Sequence, residues 1–139
     1  MVILIDSNKI SSFFNILEIK KAKNVSKVVT FEHTIDAINY LNPLASVLSK
    51  PIFVFMSLDM PQINGWEFIE KTLEMKGNQE YLNIILLSKQ ELDIEEEIKI
   101  NSYSNVSVLN AFDMNHTSIE AMLTKYRKNN TDLNKNIAG

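Results

Sequence analysis

The chain contains no cysteine, which excludes a disulfide scaffold, thiol catalysis and thiolate metal sites, and fits a reducing compartment. Glycine is scarce, three in 139 residues, and none lies in a loop of the kind that cradles a phosphate. There is no excess of positive charge: 14 Lys and Arg face 17 Asp and Glu, a formal net charge of -3. That balance gives no electrostatic basis for a nucleic-acid partner, which normally meets a basic face. No apolar run reaches the roughly 18 residues of a membrane span. The opening MVILID is too short for a signal-peptide core and has no cleavage-like stretch after it. The expectation is one cytoplasmic domain with no membrane or nucleic-acid partner. Its length is sufficient for a real core.

What the chain does have is alternation. Five short apolar runs, Val2–Ile5, Lys27–Phe31, Ile52–Met56, Asn83–Leu87 and Val106–Leu109, are separated by longer amphipathic segments. The runs VILI, IFVFM and IILL are apolar throughout, as expected of strands covered on both faces. Lys27–Phe31 is more mixed and suits a position nearer the sheet edge. Between the runs, Ile10, Phe13, Phe14 and Leu17 follow the i, i+3, i+4, i+7 spacing of a helix, with Asn8 as its cap. Ala37, Ile38 and Leu41 mark a second helix, which Asn42-Pro43 should end or kink. Asn64 with Glu67 opens a third, carrying Trp66, Ile69 and Leu73. Leu92 to Ile100 gives a fourth with an acidic outer face. Thr117 with Glu120 is a capping-box pattern before Ile119, Met122, Leu123 and Tyr126.

The order βαβαβαβαβα predicts a parallel sheet with helices on both faces, joined by right-handed crossovers. In such sheets ligands bind beyond the carboxyl ends of the strands, where the strand order reverses. That rule nominates Asp6, Ser7 and Asn8 after the first strand, and Ser57, Leu58 and Asp59 after the third. It adds Ser88 and Lys89 after the fourth, and Asn110 and Ala111 after the fifth.

With those positions in hand, VILIDSNK, MSLDMPQINGWEFIE, IILLS and VSVLNAF together resemble the receiver domain of two-component response regulators. The most specific element is Met60-Pro61 followed by Asn64-Gly65-Trp66-Glu67-Phe68 in the third βα loop. The resemblance covers residues 1–128, leaving 129–139 as a polar tail, and it implies a flavodoxin-like, doubly wound (βα)5 three-layer sandwich whose five-stranded parallel sheet has the order 2-1-3-4-5. It implies that a phosphoryl group would be accepted by an aspartate three residues before the Met of the Met-Pro pair. It further implies an acidic pair after strand 1 for Mg²⁺, a hydroxyl after strand 4 and a lysine after strand 5. Hard oxygen ligands and fixed positive charge are what that chemistry needs.

Most of that equipment is absent here. Asp6 is kept, but its acidic neighbour is Ser7; the acceptor position is Ser57; the hydroxyl is Ser88; and the lysine position is Asn110, followed by Ala111. A serine hydroxyl cannot form an acyl phosphate, and loss of an essential nucleophile costs several orders of magnitude in rate. Asp6, Ser7, Ser57, Asp59, Ser88 and Asn110 therefore read as a remnant phosphorylation site, with no catalytic residue and no cofactor expected. Weak Mg²⁺ binding at Asp6 and Asp59 is the alternative.

Each of these residues also has a bland role. Asp6 can cap the first helix with Asn8, Ser88 with Glu91 fits a capping box, and Trp66 reads as a packing residue. Glu95-Glu96-Glu97 reads as a solvated face. A nucleophilic Ser57 would need a base within reach; only His33 and His116 exist, and no Gly-x-Ser-x-Gly elbow is present. The function expected is that of an atypical, non-enzymatic receiver acting by protein contact. By the resemblance, its docking face runs from about Leu92 to Arg127, toward a histidine kinase or other signalling protein, or toward a second copy. The alternatives are a phosphorelay receiver that uses Asp59 or Ser57, and a small flavodoxin-type enzyme or binding domain.

Overall fold

The computed structural model describes residues 1–77 and 79–125. Five strands, β1 (Val2–Ile5), β2 (Val28–Phe31), β3 (Ile52–Ser57), β4 (Leu82–Ser88) and β5 (Val106–Asn110), form one parallel sheet in the order β2-β1-β3-β4-β5. They alternate with helices α1 (Lys9–Lys21), α2 (Thr34–Ala45), α3 (Gly65–Leu73), α4 (Ile94–Asn101) and α5 (116–125). The predicted fold class and strand order are those observed. The expected boundary at residue 128, the tail 129–139 and Tyr126 lie outside the described residues.

Side chains alternate across the strands, so each central strand feeds two cores. Ile3, Ile5, Val54, Met56, Ile84 and Leu86 meet α2, α3 and α4 on one face. Val2, Leu4, Phe53, Phe55, Ile85 and Leu87 meet α1 and α5 on the other. The three apolar runs are therefore the strands buried on both sides. β2 is only partly buried along its length, as its mixed sequence and edge position require.

Local chemistry sets most helix starts. Asn8 accepts backbone hydrogen bonds from Ile10 and Ser11. Asn64 and Glu67 form a reciprocal capping box at α3. Gly65 is required by close approach: a Cβ there would lie 2.8 Å from Leu86 Cδ2 and 3.3 Å from Leu58 Cα. The Met-Pro loop before it is anchored by the buried Leu58 and Met60, and by a hydrogen bond from Thr34 Oγ1 to the Ile63 carbonyl.

Several expectations are corrected. α1 forms where its period indicates, but Ile10, Phe13, Phe14 and Leu17 face solvent, while Ile16, Ile19 and Ala22 face the sheet. α2 runs through Pro43 to Ala45, because a proline in the last turn removes a single helical hydrogen bond while Leu41 and Ala45 remain buried. α4 begins at Ile94, not Leu92, because Asp93 and Glu96 form the capping box there. At α5 the cap is Asn115, whose Oδ1 accepts from Ser118 N at 2.9 Å. Glu120 instead accepts from Lys23 N, joining α5 to the end of α1.

Candidate functional site

The register brings the nominated residues to one edge of the sheet. Ile5 pairs with Met56, so Asp6 and Ser57 each follow directly at adjacent strand ends. Ser57 pairs with Leu87, and Ser88 pairs with Asn110. The point between β1 and β3 at which the strand order reverses lies between Asp6 and Ser57.

What the side chains do at that edge is largely structural. Both carboxylate oxygens of Asp6 are engaged by the start of α1: Oδ1 accepts from Asn8 N at 2.9 Å and Oδ2 from Ser11 Oγ at 2.6 Å. Negative charge before a helix N-terminus is favourable there. Ser7 is exposed, Ser57 is half-buried at the strand tip, and Asp59 is exposed in the loop. Ser88 is buried, but it does not form the expected box with Glu91. Its Oγ donates to the Gln90 carbonyl at 2.5 Å and accepts from Gln90 N at 3.3 Å, closing a tight turn instead. Asn110 caps the short 3-10 turn Ala111–Asp113 by accepting from Phe112 N.

Directly after β4 this edge also carries the exposed Lys89. A crevice of about 570 Å³ opens beside it between β5 and α4, lined in part by Ser88, Gln90, Glu91, Leu92, Glu97 and Asn110. Its lining includes two carboxylates and, among the described residues, no cationic side chain. Nor does the donor set fit a dedicated Mg²⁺ site, which relies on ionised carboxylates converging on open coordination positions. Asp6 is turned to the helix backbone and to Ser11, its neighbours are neutral serines, and no cluster of three metal-ligating side chains occurs among the described residues.

The two histidines serve elsewhere. His33 is the residue preceding α2 and makes no side-chain cap bond. His116 does not approach the crevice as a base for Ser57. Its Nδ1 lies 2.8 Å from Glu18 Oε2, and its backbone N donates to the same oxygen at 2.9 Å. Those two bonds, with a smaller contribution from Lys21, hold the Glu18 carboxyl down at about 2. Trp66 packs against the α2–α4 core as expected, and the Lys99 ammonium sits 4.8 Å from its ring centroid. Tyr103 donates to Glu70 Oε1 at 2.7 Å, a bond that raises the phenol above its ordinary value. These last two contacts tie α3 to the last turn of α4 and to the loop between α4 and β5, and sequence spacing gave no sign of either.

No family model and no curated protein matches this sequence. Solved structures do. A two-component response regulator from Cytophaga hutchinsonii is 25% identical, with 91% of this chain and 96% of that chain covered at a TM-score of 0.75. A response regulator receiver protein from Dyadobacter fermentans is 18% identical, with 90% and 95% covered and a TM-score of 0.76. The receiver domain of the histidine kinase CKI1 from Arabidopsis thaliana, solved with Mg²⁺ and BeF3⁻, is 20% identical over 91% and 89%, with a TM-score of 0.66. The sheet order and helix layers define a flavodoxin-like α/β domain. Within that class, the chain has the fold of the response regulator receiver domains.

Proposed function

We propose that this chain is a two-component receiver module that signals by protein contact and does not carry a phosphoryl group at position 57. One observation carries the reading. At the sheet edge the single retained acid, Asp6, is used to fix α1, and the neighbouring strand ends in Ser57 instead of a carboxylate. With no acceptor carboxylate at that tip and Asn110 spent on a local cap, neither the nucleophile nor the strand-5 lysine of the receiver pattern is supplied. The retained Met-Pro loop, the α3 capping box and the Trp66–Lys99 contact keep the scaffold beneath α4 and β5 rigid. The contact face then runs along α4, β5 and α5, from Leu92 through the described residues, with its end at Arg127 outside them. Its partner is a histidine kinase or another signalling protein, and neither Mg²⁺ nor another cofactor takes part.

The test is a binding isotherm with a partner captured by the wild-type protein, measured with and without acetyl phosphate and Mg²⁺. Equal affinity in both conditions, and for Ser57→Ala, is expected. An affinity that depends on the phosphoryl donor, or that Ser57→Ala abolishes, contradicts the proposal.

A further inference from the structure

Among the described residues, the outer face of α1 is the largest apolar feature that the receiver reading leaves unused. Ile10 is 73% exposed, Phe13 and Phe14 59% each, and Leu17 41%. The two phenylalanine rings stack edge to face at 5.6 Å in solvent. At roughly 200 Å² per large apolar residue this is a patch of about 450 Å². Patches of that size on single chains are often contact surfaces. A groove of about 280 Å³ runs beside it, between α1 and β2, lined by Asp6, Lys9, Phe13, Ile16, Phe31 and Glu32 among others.

Charge decides what fits. Residues 9–27 carry five lysines, Lys9, Lys20, Lys21, Lys23 and Lys27, against the single acid Glu18. On the opposite face of the sheet, residues 91–97 carry five acids and no base, and α4 presents Ile94 and Ile98, 75% and 65% exposed, one helical turn apart. The α1 patch is apolar and flanked along the chain by lysines, with Asp6 and Glu32 confined to the groove at its side; the α4 surface is apolar and flanked by acids. Within one chain the sheet separates them, since α1 packs on one face and α4 on the other.

We infer that α1 of one copy docks on α4 of a second copy, with Ile94 and Ile98 seated against Phe13 and Phe14. A two-fold α1–α1 or α4–α4 contact would place lysines against lysines or acids against acids. The complementary arrangement is head to tail, and a head-to-tail contact that does not close on itself continues into longer chains. The α1 patch is about half of the roughly 800 Å² that each partner contributes to a stable complex. The association is therefore weak, in the range of about 10 µM to 1 mM.

Sedimentation velocity across that concentration range tests it, using wild type, Phe14→Asp and Ile98→Asp. Both substituted side chains are exposed, and a thermal melt of each variant checks that the fold is retained. Wild type should grow beyond a dimer with concentration, and less so as salt is raised. Each variant alone should remain monomeric. An equimolar mixture should form a dimer and stop there, because only one α1 and one α4 stay intact in the pair. A wild type that is monomeric throughout, a variant that still self-associates, or a mixture that does not pair would each overturn the inference.

Discussion

Replacing Asp6 separates a structural role from a remnant chemical one. Its carboxylate accepts one exposed backbone bond, from Asn8 N, and one part-buried side-chain bond, from Ser11 Oγ. Hydrogen bonds to a charged acceptor contribute about 1.5–3 kcal/mol each when partly shielded, and less when exposed. Asp6→Ala should therefore cost about 2 kcal/mol. At about 4 °C per kcal/mol for a domain of this size, the melting temperature should fall by about 8 °C. Asp6→Asn keeps one acceptor oxygen for Asn8 N, and should lose about half as much. Scanning calorimetry with urea titration as a check supplies the measurement. If Asp6 instead served a metal, Mg²⁺ would stabilise wild type: at ten times its Kd, by about 1.4 kcal/mol. An Asp6→Ala protein as stable as wild type, or a wild type whose melting rises with Mg²⁺ and an Asp6→Ala variant whose melting does not, would refute the structural assignment.

Other consequences follow from the same contacts. Asp93→Ala removes half of the α4 capping box and should destabilise the protein by about 1 kcal/mol in urea titration, with protection lost first in amides of the first turn of α4. Gly65→Ala forces a methyl group against Leu58 and Leu86 and should cost about 1–2 kcal/mol, seen as a lower urea midpoint with unchanged slope. Glu18 is held near 2 by His116, below its ordinary 4.5. Its contribution is therefore present above about pH 4.5 and is lost as pH falls toward 2. Glu18→Gln should flatten the melting temperature's pH dependence in that acid window.

The fold was legible because three strands are apolar throughout and the breaks between elements carry caps at Asn8 and Asn64. The positions of Asp6, Ser57, Ser88 and Asn110 followed from strand ends alone, and the register confirms that they share one edge. Orientation was harder to read. Ile10, Phe13, Phe14 and Leu17 make a cleaner helical stripe than Ile16, Ile19 and Ala22, yet period alone cannot say which stripe meets the sheet. Competing caps were equally hidden. Ser88–Glu91 and Asp93–Glu96 share the same spacing, and only the turn closed by Ser88 and Gln90 decides between them. The Trp66–Lys99 and Glu18–His116 pairs join residues distant in sequence, so no local pattern announces them.

The central claim is that position 57 no longer carries phosphoryl chemistry and that no nearby carboxylate has taken it over. Intact-mass spectrometry after incubation with acetyl phosphate and Mg²⁺ tests it most directly, with Ser57→Asp run alongside. The wild-type protein should keep its unmodified mass. A gain of one phosphoryl group on the wild type, mapped to Asp59, Ser57 or Asp6, would contradict the account.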